Sequence, residues 1–97
     1  MKILAIEKEI EGTNWEHAKE TLKAEAEAVY ELIKKNIIRE IYFDDLHNAV
    51  MILECKDKQE AKEILGRLPI VKQGLSLFKV STLQPYSGLE RLFESAK

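Results

Sequence analysis

The sequence predicts an α+β domain whose elements run strand, helix, strand, strand, helix, strand around a four-stranded antiparallel sheet. Three observations carry that prediction. The run Ala49-Val50-Met51-Ile52-Leu53 is apolar at consecutive positions; a strand points alternate side chains to opposite faces, so this one needs cover on both. Ile3-Leu4-Ala5-Ile6 makes the same demand, and Leu75-Ser76-Leu77-Phe78-Lys79-Val80 comes close to it. Only two stretches show a substantial helical period, enough to shelter one face of a small sheet.

The chain is 97 residues long, the size of one core, so 1–97 is read as a single domain. Fifteen basic residues stand against seventeen acidic ones, a formal charge of −2 with the signs interspersed. Without a basic stripe, nucleic acid is not an expected partner. No stretch approaches the ~20 apolar residues of a membrane span, and the N-terminus carries no signal-peptide pattern, so no membrane partner is expected and a cytoplasmic protein is. The single cysteine, Cys55, ends an apolar run and reads as a small buried hydrophobe.

Lys2 to Glu9 is the first expected strand, and Glu11-Gly12 turns the chain. Thr13 and Glu16 have the spacing of a capping box at a helix start. From Trp15 the apolar residues Ala18, Leu22, Ala26, Val29 and Ile33 follow steps of three and four along one helical face. Asn36, which tolerates the left-handed conformation, should end this helix. Ile37 to Phe43 is the second strand, Asp44 to Asn48 a polar hairpin turn, and the apolar run from Ala49 the third strand. Asp57 and Glu60 read as a second N-cap pair. Ala61, Ile64, Leu65 and Leu68 line a short helix closed by Gly66 and Pro69, and Leu75 to Leu83 is the last strand. Leu89 to Phe93 is expected to form a further amphipathic turn.

This order is the ferredoxin-like, split βαβ arrangement. Right-handed crossovers put both helices on one side of the sheet. The other side stays bare and apolar, and two such sheets packed face to face at about 10 Å would close it. The expected partner is therefore a second copy of the chain, as a homodimer forming a dimeric α/β barrel or as a higher homo-oligomer.

Lys23-Ala24-Glu25-Ala26, Glu31-Leu32, Arg39-Glu40-Ile41-Tyr42-Phe43, Leu68-Pro69-Ile70 and Val80 through Tyr86 resemble the muconolactone isomerase family and its bacterial relatives of unknown reaction. The resemblance runs from the first strand to the Pro85-Tyr86 segment. It implies a small cofactor-independent isomerase, moving a proton on an unsaturated lactone within cyclic oligomers of barrel dimers. The Trp and His that the family pattern places around Ile38 and Glu40 are absent here.

Proton transfer beside a carbonyl needs a base within hydrogen-bond reach and donors for the developing enolate. The candidate catalytic residues are Glu25 on the long helix, His17 near its start and Arg39 on the second strand. Tyr30 and Tyr42 are the candidate ligand-binding residues. Glu25 adjoins the apolar stripe, where partial burial would raise its pKa; its competing role is a solvated carboxylate paired with a lysine. Arg39 and Tyr42 face opposite sides of a regular strand, so a bulge is needed for both to line one cavity. His47 is accounted for by the hairpin turn. The histidines and carboxylates lack the spacing of a metal site, and no glycine-rich phosphate loop occurs, so neither metal nor cofactor is expected. A non-enzymatic small-molecule-binding module and an oligomeric assembly protein remain as alternative functions.

Overall fold

The computed structural model describes residues 1–94; the last three residues of the expected domain, 95–97, lie outside the described residues. Strands β1 (Lys2–Glu9), β2 (Ile38–Phe43), β3 (Ala49–Glu54) and β4 (Ser76–Thr82) form one antiparallel sheet in the order β2-β3-β1-β4. Helix α1 (Lys19–Lys34) connects β1 to β2. Helices α2 (Lys58–Gly66) and α3 (Pro69–Lys72) connect β3 to β4. This is the ferredoxin-like arrangement, with the helices on one face of the sheet.

The alternation of each strand decides that face. Ile3, Ala5 and Glu7 of β1 are buried, as are Ala49, Met51 and Leu53 of β3. The apolar ones pack with Ala28, Val29 and Leu32 of α1 and Ala61 and Leu65 of α2 into one core. Leu4, Ile6, Val50 and Ile52 point the other way and are only half-buried. Tyr42 of β2 and Leu77 of β4 extend this bare face, both more than half exposed.

The local starts and stops follow from side-chain chemistry. Asn36 ends α1 with φ 61°, the left-handed conformation it was expected to take. Asp57 caps α2 by accepting from the Glu60 amide at 2.8 Å, and Glu60 accepts from the Lys56 amide at 3.0 Å. In the β2–β3 hairpin, Asp44 Oδ1 accepts from the Leu46 and Asn48 amides, and His47 takes φ 61°.

Three local expectations change. Thr13 does not cap a helix: its hydroxyl donates to the Leu75 carbonyl at 3.1 Å, tying the β1–α1 loop to the start of β4. Asn14 instead caps a 3-10 turn at Trp15–His17, and α1 begins at Lys19. Pro69 closes nothing; it sits at the first position of α3, where its missing N–H is no loss. After β4 the chain runs out as an exposed segment, with a 3-10 turn at Gly88–Leu92 carrying Leu89, Leu92 and Phe93 to solvent. The radius of gyration is 16.8 Å and the longest extent 64 Å, against roughly 12–13 Å expected for a compact domain of this length. That segment is not folded onto its own domain.

Candidate functional site

A cavity of about 560 Å³ opens between α1 and the helix-covered face of the sheet. Its walls are mainly apolar, among them Leu22, Ala26 and Val29 of α1, Ile41 and Phe43 of β2, and Met51 of β3. Trp15 is part of the lining, its indole N–H donating to Glu9 Oε1 at 2.5 Å. The hairpin residues Leu46, His47 and Asn48 also line it, with the His47 ring stacked on Phe43 at 3.9 Å.

Two buried carboxylates enter this apolar space from opposite sides. Glu7 projects from β1, which lies between β3 and β4, and bridges those two strands. Its Oε1 accepts from the Ala49 amide of β3 at 2.8 Å, and its Oε2 from the Ser76 hydroxyl of β4 at 2.7 Å. Only 8% of Glu7 is exposed, and Ser76 is fully buried. Glu25 comes down from α1, 9% exposed, and is the buried residue of that helix. Its Oε1 accepts from the Ile70 amide at 3.1 Å. Because Pro69 has no N–H, Ile70 supplies the first amide of α3 for that bond. No hydrogen bond to Glu25 Oε2 is made by the described residues, and Glu25 is among the residues lining the cavity.

Burial raises the Glu25 pKa above the ordinary glutamate range, and the nearby Glu7 carboxylate pushes it the same way; the Ile70 amide opposes both. A carboxyl perturbed upward in a cleft can take or give a proton nearer neutral pH than a solvated one. The lining includes the carboxylates Glu7, Glu9 and Glu25 and the imidazole of His47, and among the described residues no lysine or arginine. Among the described residues no group of three or more His, Cys, Asp or Glu is arranged to hold a metal ion, and no helix is long and apolar enough to cross a membrane.

Of the residues singled out from sequence, the structure brings Glu25 alone to this cavity. His17 is exposed in the 3-10 turn before α1. Arg39 occupies a bulge between Ile38 and Glu40, where its Nε donates to the Asn36 carbonyl at 2.6 Å. The bulge also resets the alternation of β2. Ile38 thus joins Ile41 on the core side, while Tyr42 faces the bare side with Glu40, its hydroxyl donating to that carboxylate at 2.9 Å. Tyr30 lies on the outer side of α1 beneath the Lys34 ammonium, 4.9 Å from the ring centre. Trp15 and His47, given no ligand role from sequence, line the cavity. Glu7 went unremarked although a signal was present: counting by twos from Ile3 and Ala5 puts it on the core side of β1.

The fold has a counterpart among solved structures. The chain is similar to 5-chloro-2-hydroxyhydroquinone dehydrochlorinase (TftG) from Burkholderia phenoliruptrix AC1100, solved in complex with 2,5-dihydroxybenzoquinone. The TM-score is 0.68 at 18% identity, over 91% of this chain and 98% of that one. At that identity the likeness is one of fold. No family model matches the chain, and no curated protein matches it by sequence.

Proposed function

We propose that the protein is a small enzyme moving a proton on a carbonyl or lactone compound, with Glu25 as the group that takes and returns it. The observation carrying this reading is a buried carboxyl in the lining of a mainly apolar cavity, with one of its oxygens held by the Ile70 amide. In the first step Glu25, as carboxylate, removes a proton from the carbon beside the carbonyl, and the C–H electron pair moves into an enolate. In the second step the proton returns to a different carbon and the carbonyl re-forms. His47 and Asn48 carry the lining donors nearest in kind to what an enolate oxygen requires. The resemblance to the muconolactone isomerase family and the fold shared with a dehydrochlorinase both support a small-molecule reaction in this cavity.

The same reading includes a homodimer. The apolar centre of the bare sheet face, Leu4, Ile6, Val50 and Ile52, matches an identical face of a second copy, and the exposed segment from Leu83 to Phe93 is long enough to reach across to it. A second functional reading, a binding module without turnover, is favoured by the apolar character of most of the wall.

Deuterium exchange separates the two. Small cyclic ketones and unsaturated lactones are incubated with the protein in D2O, and loss of the α-proton signal is followed by NMR. Wild type should accelerate the loss, and Glu25→Gln should not while keeping its thermal midpoint. Equal acceleration by the variant removes Glu25 from the mechanism, and no acceleration by either leaves the binding module.

A further inference from the structure

The charge of the cavity lining bears on which molecules it accepts. Glu7, Glu9 and Glu25 place three carboxyl groups around one space, and among the described residues no lysine or arginine side chain lines it. Glu7 accepts on both oxygens and Glu9 accepts from Trp15, so two of the three are held in place by protein donors. An entering carboxylate or phosphate would meet acceptors where it needs donors. Its charge would also face theirs across a wall that is mainly hydrocarbon, where like charges repel more strongly than in water. The remaining lining suits a flat uncharged molecule. Trp15 and the stacked Phe43–His47 pair offer aromatic surface in the lining. A volume of about 560 Å³ exceeds the roughly 150 Å³ that suffices for a benzene ring, leaving room for substituents.

Resting on the reading of Glu25 as the proton-transfer group, we propose that the substrate of this cavity is an uncharged ring compound bearing a carbonyl, and that compounds carrying a carboxylate or phosphate are rejected. Such a ligand hydrogen-bonds through its carbonyl to the hairpin donors His47 and Asn48 and presents its acidic C–H to the Glu25 carboxylate. Specificity then lies in what the cavity omits, a cation to receive an acid.

Three probes of matched shape test this at pH 8: acetophenone, its 4-carboxylate (4-acetylbenzoate) and its 4-aminomethyl analogue. Dissociation constants are measured by NMR titration of the full-length protein, with the Trp15 indole N–H signal reporting cavity occupancy. Acetophenone should bind and shift that signal, and 4-acetylbenzoate should bind at least tenfold more weakly. Glu9→Gln and Glu25→Gln should each narrow the gap by severalfold; Glu9, more exposed, is the safer variant for folding. Binding of 4-acetylbenzoate as tight as that of acetophenone overturns the proposal, as does tenfold tighter binding of the amine, which would make the cavity a cation site. Failure of all three probes to move the Trp15 signal at millimolar concentration overturns it too. The two readings fail separately. Binding of acetophenone alone without exchange of its methyl protons in D2O refutes proton transfer and keeps the charge rule, whereas faster exchange on 4-acetylbenzoate does the reverse.

Discussion

Removing the Glu7 side chain tests whether this carboxylate holds the sheet together beneath the cavity. In Glu7→Ala the Ala49 amide and the Ser76 hydroxyl both lose their acceptor. A buried donor left unpaired costs roughly 1–3 kcal/mol, so two cost roughly 2–6. Water entering from the adjoining cavity can satisfy part of this, which sets the expectation at about 3 kcal/mol. For a domain of this size each kcal/mol moves the thermal midpoint by about 4–8 °C, a fall of roughly 12–24 °C. Glu7→Gln is the matched control. Its carbonyl oxygen can still accept from Ala49, and the Ser76 hydroxyl can rotate to accept from the amide nitrogen. The loss then reduces to the difference between charged and neutral hydrogen bonds, about 1 kcal/mol. Denaturant unfolding of the three proteins, compared by midpoint at constant slope, gives both values. If Glu7→Ala matches Glu7→Gln within 0.5 kcal/mol, the bridge from β1 to β3 and β4 does not contribute as described. The control carries a second reading, for without the Glu7 charge the Glu25 pKa should fall toward the ordinary range, a change visible in carboxyl carbon NMR.

The remaining predictions concern pH and assembly. Because the folded state raises the Glu25 pKa, the stability it contributes is complete below the ordinary glutamate range and is lost as pH rises through the raised value. Glu25→Gln keeps an acceptor for Ile70 and cannot ionise, so its stability relative to wild type should improve from pH 4 to pH 8 in denaturant titrations; a constant difference across that range contradicts the burial of Glu25. Ile52→Asp places a charge at the centre of the bare face. If that face is buried in a dimer, the unpaired charge costs several kcal/mol, so light scattering should give a dimeric mass for wild type and a monomeric one for the variant. A wild-type protein that is monomeric at micromolar concentration ends the case for pairing through this face.

The strands were legible because a consecutive apolar run has few other physical readings. The same holds for the stop at Asn36 and the cap at Asp57, where one side chain or one backbone angle decides the structure locally. The start of α1 was not legible, since the Thr13 hydroxyl had a choice between capping and reaching Leu75, 62 residues away, and the tertiary contact won. The inward face of α1 was displaced by one position for a related reason. A stripe built by counting apolar residues centres on Ala26, and so excludes a carboxylate by construction. Yet Glu25 is the residue that points in, because it meets the Ile70 amide there. Arg39 and Tyr42 were displaced by a single bulge, which no local residue preference announces. The candidate site was thus half legible: Glu25 stood at the edge of the stripe, while Glu7 and Trp15 became part of a cavity only through the packing of α1 against β2 and α3.

Buried carboxylates are a poor way to stabilise so small a domain. Glu7 occupies a position continuous with Ile3 and Ala5, where a valine or leucine would fill core volume with no charge to desolvate. Glu7 does at least satisfy two strand donors, so its burial has a structural return. Glu25 does not balance in the same way. It makes one hydrogen bond, keeps one oxygen free and sits near a second carboxylate that disfavours its ionised form. A residue better for stability at that position is easily named: leucine would continue the apolar wall formed by Leu22 and Val29. An arrangement costly to folding and directed into a cavity is where departures from folding rules coincide with function. This asymmetry between the two glutamates, one accepting on both oxygens and the other on one, is why we propose the chemistry for Glu25 and the scaffold role for Glu7.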